Sequence, residues 1–365
     1  MCRTSMASCL TCGEALRPED RYCEACGAEG GMPSSPPAPI SVEGMQDPPT
    51  APTEGATCVR CGPPAGAGEE GLDAVDASGP STLSAEGYCE DCGWPQPRPR
   101  DHVEIDLGVA AGVSDRGRRH HRNEDALALH VLGGDNGVPA VVAVVCDGVS
   151  SAERPDDASE AAARAGSAAL VAALLDGMDP EPATREAMTS ALAAVAGLAH
   201  AGERQAAPAC TYVSAVVTAG TVTVGWVGDS RAYWVAASDP ATPSSRLTVD
   251  DSWAAEIVAS GVLGQAEAEA VPLAHAITAW LGADAGDVLP HVVQLTPEGP
   301  GIVVLCSDGL WNYLETAEMV AAALPAAAAE APLAAARELV RVALQAGGHD
   351  NVTVAVLPFT GGRDA

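Results

Sequence analysis

Five aspartates lie at the ends of short apolar runs in the second half of the sequence: Asp125, Asp147, Asp229, Asp308 and Asp350. Each one alone fits a turn, because Asp-Gly is a common turn dipeptide. A sheet, however, brings its strand ends together, and clustered carboxylates repel one another unless cations lie among them. Hard divalent cations such as Mg2+ and Mn2+ take these oxygen ligands. The pattern predicts a metal centre of this kind in one domain.

The elements that must position these aspartates are short β-type runs and Ala-rich amphipathic helices. Strands are predicted at Leu107–Val113, Ala126–Leu132, Val138–Cys146, Thr211–Thr218, Thr221–Val227, Ala232–Ala236, Val288–Leu295, Gly301–Cys306 and Val352–Leu357. Helices are predicted at Asp157–Leu175, Ala183–Ala201, Trp253–Ser260, Ala317–Leu324 and Leu333–Gln345. These proportions favour an α+β fold with sheets packed together and helices outside.

The first hundred residues carry a second chemical pattern, four C-x2-C pairs. Two such pairs complete a tetrahedral thiolate site for zinc, so we expect zinc ribbons at 1–31 and 57–94, each with one structural Zn2+. A Pro-rich linker at 32–56 and a short linker at 95–104 separate the modules. A disulfide framework is the alternative, but no secretion signal precedes the cysteines. The predicted zinc ligands are Cys9, Cys12, Cys23, Cys26, Cys58, Cys61, Cys89 and Cys92.

Composition limits the partners. The formal charge is −30, and all 19 cations are arginine. Such an acidic chain repels phosphate backbones, so nucleic acid is not an expected partner. Residues 1–100 hold 15 acids against 6 arginines, so a protein partner for the ribbons is favoured. No apolar run approaches the roughly 18 residues of a membrane span, and we expect a cytoplasmic protein without a membrane partner.

Residues 105–358 resemble bacterial metal-dependent Ser/Thr protein phosphatases of the type 2C family. Eight elements carry the resemblance in family order, which makes it specific. They are Ser114-Asp115-x-Gly117 to Asn123-Glu124-Asp125, Cys146-Asp147-Gly148-Val149, Cys210-Thr211, Val227-Gly228-Asp229-Ser230-Arg231-Ala232-Tyr233, Leu247-Thr248-Val249-Asp250-Asp251-Ser252, Leu281-Gly282, Leu305-Cys306-Ser307-Asp308-Gly309-Leu310 and Gly348-His349-Asp350-Asn351-Val352-Thr353. The resemblance implies a four-layer sandwich of two antiparallel β-sheets flanked by helices.

The resemblance also implies the metal ligands. Asp147 should bridge two Mn2+ or Mg2+ ions. The Gly148 carbonyl, Asp308 and Asp350 should complete their ligand shells. A metal-bridging hydroxide would then attack the phosphorus of phosphoserine or phosphothreonine in phosphorylated proteins. Relatives of this kind reverse bacterial Ser/Thr kinases.

Three further acids have supporting roles by the same resemblance. Asp125 should act mainly through metal-bound water, with Glu124 supporting it. Asp229, together with Asp308, should hold a third and weaker metal. The resemblance therefore implies two metal ions at the centre and a third site beside them.

The predicted phosphate-binding loop departs from the family pattern. His120 occupies the position of the family's arginine, four residues before Glu124. Because a dianionic phosphate needs a matching cation, we predict that His120 contacts it with help from Arg122, with Arg119 as the alternative. The arginines of this loop could also merely balance neighbouring acids. Outside the loop, two expected glycines are Ser150 and Ser151, and an expected histidine is Asp251.

Three rival functions follow from other features of the sequence. A cysteine phosphatase needs a reactive thiol, but Cys146, Cys210 and Cys306 lie in or beside apolar strands and are predicted to be buried. A histidine-ligated metallophosphatase is disfavoured because only His349 adjoins a candidate ligand. The remaining alternative is a zinc-ribbon adaptor whose phosphatase-like domain only binds or scaffolds.

Overall fold

The computed structural model describes most of the chain from residue 88 onward. The described residues are 7–8, 15–16, 88–93, 96–133, 138–199, 207–237, 242–271, 273–286 and 288–361. They fall in two compact units, residues 1–30 with 102–365 and residues 31–101. Six of the eight predicted zinc ligands lie outside the described residues: Cys9, Cys12, Cys23, Cys26, Cys58 and Cys61.

The last predicted C-x2-C pair lies in the described part of the second unit. Cys89 is buried and Cys92 is exposed. The Gly93 amide donates to the Cys89 carbonyl at 2.8 Å, and Gly93 has a φ of 67°, which glycine adopts without strain. This tight turn has the shape that a zinc knuckle uses, and the zinc site itself stays a prediction. A 3-10 turn at Pro99–Asp101 follows.

Two antiparallel sheets form the centre of the other unit. The six-stranded sheet has the order β11 (Ser245–Arg246), β10 (Arg231–Ala236), β14 (Gly301–Cys306), β15 (Val352–Phe359), β4 (Ala111–Asp115) and β3 (His102–Asp106). The five-stranded sheet has the order β13 (His291–Leu295), β9 (Val222–Val227), β8 (Tyr212–Val217), β6 (Ala140–Cys146) and β5 (Ala126–Leu132). Two short pairs are β1 (Ala7–Ser8) with β2 (Ala15–Leu16), and β7 (Ala209–Cys210) with β12 (Leu281–Gly282).

Helices cover the outer faces of both sheets. α1 (Pro155–Leu175) and α2 (Pro180–Ala196) pack on the five-stranded sheet. α6 (Ala317–Ala323) and α7 (Pro332–Ala346) pack on the six-stranded sheet. The remaining helices are α3 (Trp253–Ala259), α4 (Gln265–Glu269) and α5 (Asp308–Trp311).

The core consists of three apolar layers, as a four-layer sandwich requires. Side chains such as Val145, Trp234 and Leu305 fill the space between the sheets. Leu339 belongs to the layer under α7, and Leu170 belongs to the layer under α1. Alanine, valine and leucine dominate these layers, because the sequence is only 3% aromatic. The predicted α+β sandwich is confirmed for this unit.

Two predicted elements were wrong at their ends. Of the strand predicted at Leu107–Val113, residues 111–113 belong to β4. Residues 107–110 instead form the hairpin turn between β3 and β4, where Leu107 donates to the Ala110 carbonyl and Gly108 has a φ of 75°. The sheet therefore begins at His102, before the predicted domain start at 105. α2 ends at Ala196, because Gly197 closes its last turn.

α1 is, within the described residues, the one helix long and apolar enough to cross a membrane. Half of its apolar stretch is buried inside the protein. Leu170 and Ala162 on this helix are fully buried. The packing is that of a core helix.

Candidate metal centre

The predicted aspartates meet where strands of both sheets end. Asp147 follows β6 of the five-stranded sheet, whereas Asp308 follows β14 and Asp350 precedes β15 of the six-stranded sheet. Asp229 lies in the turn between β9 and β10, which belong to different sheets. These four side chains, with Gly148, line one cavity of about 640 Å³. The strand topology therefore brings the predicted ligands together.

Burial and mutual repulsion make the carboxylate cluster costly without cations. Burial, followed by the charges of the other four predicted aspartates, raises the pKa of Asp147 well above its usual range. Burial also raises the pKa of Asp125 to about 6 and that of Asp229 to about 7. Divalent cations among these groups would relieve both costs, because they favour the charged form.

The donor set fits hard cations that retain part of their water. Oδ1 of Asp308 is buried and has no hydrogen-bond partner among the described residues, so it is available as a ligand. In the described part of the chain, no three His, Cys, Asp or Glu side chains are close enough to hold an ion by themselves. Water ligands must then complete the shells, which is the habit of Mg2+ bound by a few carboxylates.

Two hydroxyl side chains hold the strand ends in place. Oγ of Ser307 donates to the Asp125 carboxylate at 2.7 Å and accepts from the Thr353 amide at 3.0 Å. Oγ1 of Thr211 accepts from the Asp147 amide at 3.1 Å. These contacts fix the backbone of Asp147 and the carboxylate of Asp125. Both hydroxyls stand in the quoted motifs, but no local sequence signal predicts these contacts.

Asn351 ties the loop before Glu124 to the strand end that carries Asp350. Its Nδ2 donates to the carbonyls of Arg116 at 2.8 Å and Arg122 at 3.0 Å. Its Oδ1 accepts from the Glu124 amide at 2.7 Å. One buried amide thus satisfies three backbone groups of a segment more than two hundred residues away.

Glu124 is buried beside one of the serines that depart from the family pattern. Oγ of Ser150 donates to Oε2 of Glu124 at 2.7 Å. Burial raises the pKa of Glu124, although the Ser150 hydrogen bond opposes the shift. The carbonyl of Glu124 accepts from the Gly148 amide at 3.1 Å. Glu124 therefore holds the Gly148 turn through its backbone carbonyl, and its predicted support of Asp125 stays a prediction.

The predicted phosphate grip does not line the cavity. The His120 side chain is 1% exposed, and its Nε2 lies 3.0 Å from Oδ1 of Asp350. Burial lowers the pKa of His120, but the interaction with Asp350 and the charges of Glu124 and Asp125 raise it above its usual value overall. The imidazole is shorter than the family's guanidinium, and at this position it pairs with a candidate metal ligand.

The two arginines of the predicted grip are both exposed at the protein surface. Arg122 forms an ion pair with Asp156 at 3.3 Å. Arg119 is exposed, and neither side chain belongs to the cavity lining. His120, Arg119 and Arg122 thus lie outside the cavity lining, and their contact with phosphate stays a prediction.

Asp251, which replaces a family histidine, fixes the turn that carries Asp229. Its Oδ2 accepts from the Gly228 amide at 2.8 Å, and its own amide donates to the Gly228 carbonyl at 2.9 Å. Its Oδ1 lies 2.8 Å from Nε2 of His291, whose ring stacks on Trp226 with centroids 4.9 Å apart. Asp251 therefore acts as a positioning residue.

We expect Asp251→Ala to raise the Mn2+ concentration needed for half-maximal activity by about tenfold, the usual cost of losing a group that orients a metal ligand. The measurement is a Mn2+ titration of phosphopeptide hydrolysis. Asp176→Ala, at the exposed C-terminal end of α1, is the control and should leave the titration unchanged. An unchanged titration in Asp251→Ala would contradict the positioning role.

Comparison with known proteins decides the family. The family model described as protein phosphatase 2C matches residues 115–341, well over half of the 365 residues. The chain belongs to the protein phosphatase 2C family. Members of this family are metal-dependent protein serine/threonine phosphatases. Of the candidate ligands, Asp125, Asp147, Asp229 and Asp308 lie within the matched region, whereas Asp350 lies beyond its end.

Individual relatives agree with this type 2C assignment. Protein phosphatase PhpP of Streptococcus pneumoniae is 33% identical over 132 residues, which are 36% of this chain and 50% of that protein. The match thus spans about half the length of the curated relative. The PPM Ser-Thr phosphatase MsPP of Mycobacterium smegmatis, solved with cacodylate, is 28% identical with a TM-score of 0.54, covering 70% of this chain and 100% of that one.

A further solved structure supports the fold alone. Serine/threonine phosphatase Stp1 of Staphylococcus aureus is 21% identical with a TM-score of 0.55, and the match covers 73% of this chain and 100% of that chain. At this identity the likeness concerns the type 2C sandwich and not its chemistry. The predicted zinc ribbons lie outside residues 115–341, which the family model matches.

The cysteines of this type 2C domain are core residues. Cys146, Cys210 and Cys306 are all fully buried. Burial raises the pKa of the Cys146 and Cys306 thiols well above their usual range, so neither forms a nucleophilic thiolate near neutral pH. The predicted burial is confirmed, and a cysteine phosphatase mechanism has no nucleophile here among these three.

Proposed function

We propose that this protein is a Mn2+- or Mg2+-dependent protein phosphatase that hydrolyses phosphoserine and phosphothreonine and opposes bacterial Ser/Thr kinases. One observation carries the proposal: four carboxylates from both sheets of a type 2C domain line a single open cavity. A phosphorylated side chain at the surface of a substrate protein could enter this cavity.

The chain's own residues divide the work. Asp147, the Gly148 carbonyl, Asp308 and Asp350 would hold two ions, and Asp229 with Asp308 would hold a third. When bound, such ions acidify water and neutralise phosphoryl oxygens.

The groups around these ligands keep them in position. Asp125 is held by Ser307 and would orient water ligands. Glu124 supports the Gly148 loop through its carbonyl.

We expect hydrolysis of a phosphothreonine peptide by the full chain only when Mn2+ or Mg2+ is added. Sites made of carboxylate and water bind these ions weakly and lose them during purification. Phosphate release with and without EDTA is the measurement. Unchanged release in EDTA would overturn the metal assignment, and a metal-loaded chain that binds the peptide without cleaving it would favour the adaptor alternative.

We further propose two structural zinc ions in residues 1–100, which would present a surface for a protein partner. The Cys89–Cys92 turn supports one of the two sites. Metal analysis of the full chain should give about two zinc per chain, the number that eight thiolates can hold as closed sites. Removal of residues 1–100 should leave turnover of a small phosphoester largely intact. Less zinc, or collapse of that turnover, would count against the proposal.

A further inference from the structure

The cavity of the candidate metal centre has an unusual balance of charge. It is lined by five aspartates, which are Asp147, Asp229, Asp284, Asp308 and Asp350. Among the described residues that line it, His275 is the single basic side chain. A phosphate monoester brings further negative charge into this space. Metal ions can neutralise the side of the phosphate that faces the aspartates, but its outer oxygens need a donor from the protein.

Two buried cations near the centre already have carboxylate partners. His120 pairs with Asp350. Arg231 is buried, donates to Asp250 at 2.6 Å and covers the Trp311 ring with its guanidinium carbon 3.8 Å from the ring centroid. Moving Arg231 into the cavity would break a buried ion pair, which is strongly unfavourable. These groups therefore do not supply the missing donor.

His275 lies close to the predicted metal ligands. Its ring centroid is 5.9 Å from that of Trp311. Trp311 belongs to α5, the helix that begins at Asp308, and its indole nitrogen donates to the Asp229 carbonyl at 2.9 Å. One aromatic side chain thus separates the His275 imidazole from the turn that carries Asp229. The imidazole is exposed and lines the cavity, so a substrate in the cavity could reach it.

The backbone on both sides of His275 is held firmly. The Ala274 carbonyl accepts from the Ala254 amide at 3.1 Å, and the Ala276 carbonyl accepts from the Trp253 amide at 2.9 Å. Ala274 is also buried against Ala254 and Ala268. The first turn of α3 therefore fixes the segment, while the imidazole stays exposed. An exposed polar side chain on a fixed backbone beside a reactive centre is the arrangement that substrate recognition requires.

We propose that His275 contacts the substrate, donating a hydrogen bond from its imidazole to a phosphoryl oxygen of bound phosphoserine or phosphothreonine. In this chain His275 would make the phosphate contact that family members make with an arginine. That arginine is replaced here by His120. The inference rests on the proposed phosphatase function, and it assigns the phosphate contact to the α3–β12 segment instead of the loop at 116–122.

The test compares His275→Ala, His275→Gln and His275→Arg in the full chain at saturating Mn2+. A hydrogen bond to a charged group is worth enough that His275→Ala should raise KM for a phosphothreonine peptide by about tenfold or more, with a smaller change in kcat. His275→Arg, which keeps a donor and a charge, should recover most of the lost affinity. His275→Gln shows whether a neutral donor suffices. His130→Ala, on β5 and outside the cavity lining, is the matched control.

Calorimetric measurement of inorganic phosphate binding to the Mn2+-loaded chain separates this inference from the proposed function. His275→Ala should weaken that binding without changing the Mn2+ titration. If the wild type turns over substrate and His275→Ala has the same KM and the same phosphate affinity, the inference alone is overturned. Phosphate binding that depends on His275 in a chain without turnover would overturn the phosphatase function alone. A wild type that neither binds nor turns over would overturn both.

Discussion

Asp147→Asn is expected to abolish phosphopeptide hydrolysis and, at the same time, to stabilise the metal-free protein. Burial raises the pKa of Asp147 most, and the charges of four neighbouring carboxylates raise it further. An uncharged side chain of the same shape therefore removes the repulsion between these carboxylates and residue 147. The same change removes the central metal ligand. We expect turnover to fall by on the order of 10³-fold, as when electrostatic stabilisation of the reaction is lost.

Two measurements check this pair of effects, turnover at saturating Mn2+ and Tm in EDTA. For a domain of this size, Tm changes by roughly 2–4 °C for each kcal/mol, so a relieved repulsion is measurable. Asp176→Asn, at the exposed end of α1, should alter neither quantity. Retained activity in Asp147→Asn would refute the ligand assignment, and a lower Tm in EDTA would refute the repulsion.

The same cluster sets the pH dependence of the metal-free protein. Folding raises the pKa of Asp125 to about 6 and of Asp229 to about 7, so the folded state binds more protons than the unfolded state. The free energy of unfolding in EDTA should therefore fall as pH rises from about 4, the pKa of an unfolded aspartate, through about 7, the folded-state pKa of Asp229. Asp147→Asn should make the free energy of unfolding depend less on pH. Saturating Mn2+ should oppose the loss of stability as pH rises.

Gly309→Ala is expected to destabilise the protein and to inactivate it, although no ligand is changed. A Cβ atom at this position would lie 1.8 Å from the Asn351 carbonyl oxygen, and this backbone atom, directly before β15, cannot move aside cheaply. Overpacking of this kind costs about 1–3 kcal/mol or more. Because Gly309 follows Asp308 and Asn351 follows Asp350, any relief of the clash displaces two predicted ligands at once.

The matched control is Gly220→Ala, since a Cβ there meets nothing within 4 Å. Denaturant unfolding and phosphopeptide turnover should both be near wild type in Gly220→Ala and reduced in Gly309→Ala. Wild-type stability and turnover in Gly309→Ala would mean that the β14–α5 junction has more room than its contacts show.

The strand-end positions of the candidate ligands could be predicted because their signal is local. Asp147 and Asp308 each follow an apolar run that is a strand by itself, and the motifs around them are contiguous. The groups that hold the ligands were not predictable in this way. The hydrogen bond from Ser307 to Asp125 joins residues 182 positions apart, and that from Glu124 to Asn351 joins residues 227 positions apart.

Two further differences from the sequence-based expectations have identifiable physical causes. The hairpin at Gly108 looked like a continuous strand because Leu107 and Val109 are apolar, although both are more than a third exposed at the turn. His120 was predicted to face phosphate because of its place in a motif, but Asp350, which is distant in sequence, holds it. His275 stands in no motif, and only the folded cavity singles it out.

The division of the ligands between two sheets has a mechanical consequence. Asp147 ends a strand of one sheet and Asp308 ends a strand of the other, so an ion held by both would act as a removable cross-link across the sandwich. A partly unfolded chain with separated sheets could not keep that ion, and the full binding energy would oppose the separation. Chelation should therefore shorten the lifetime of the folded chain, as reduction of a disulfide does in other proteins. The supply of metal would then govern how long the folded protein lasts as well as how fast it turns over substrate.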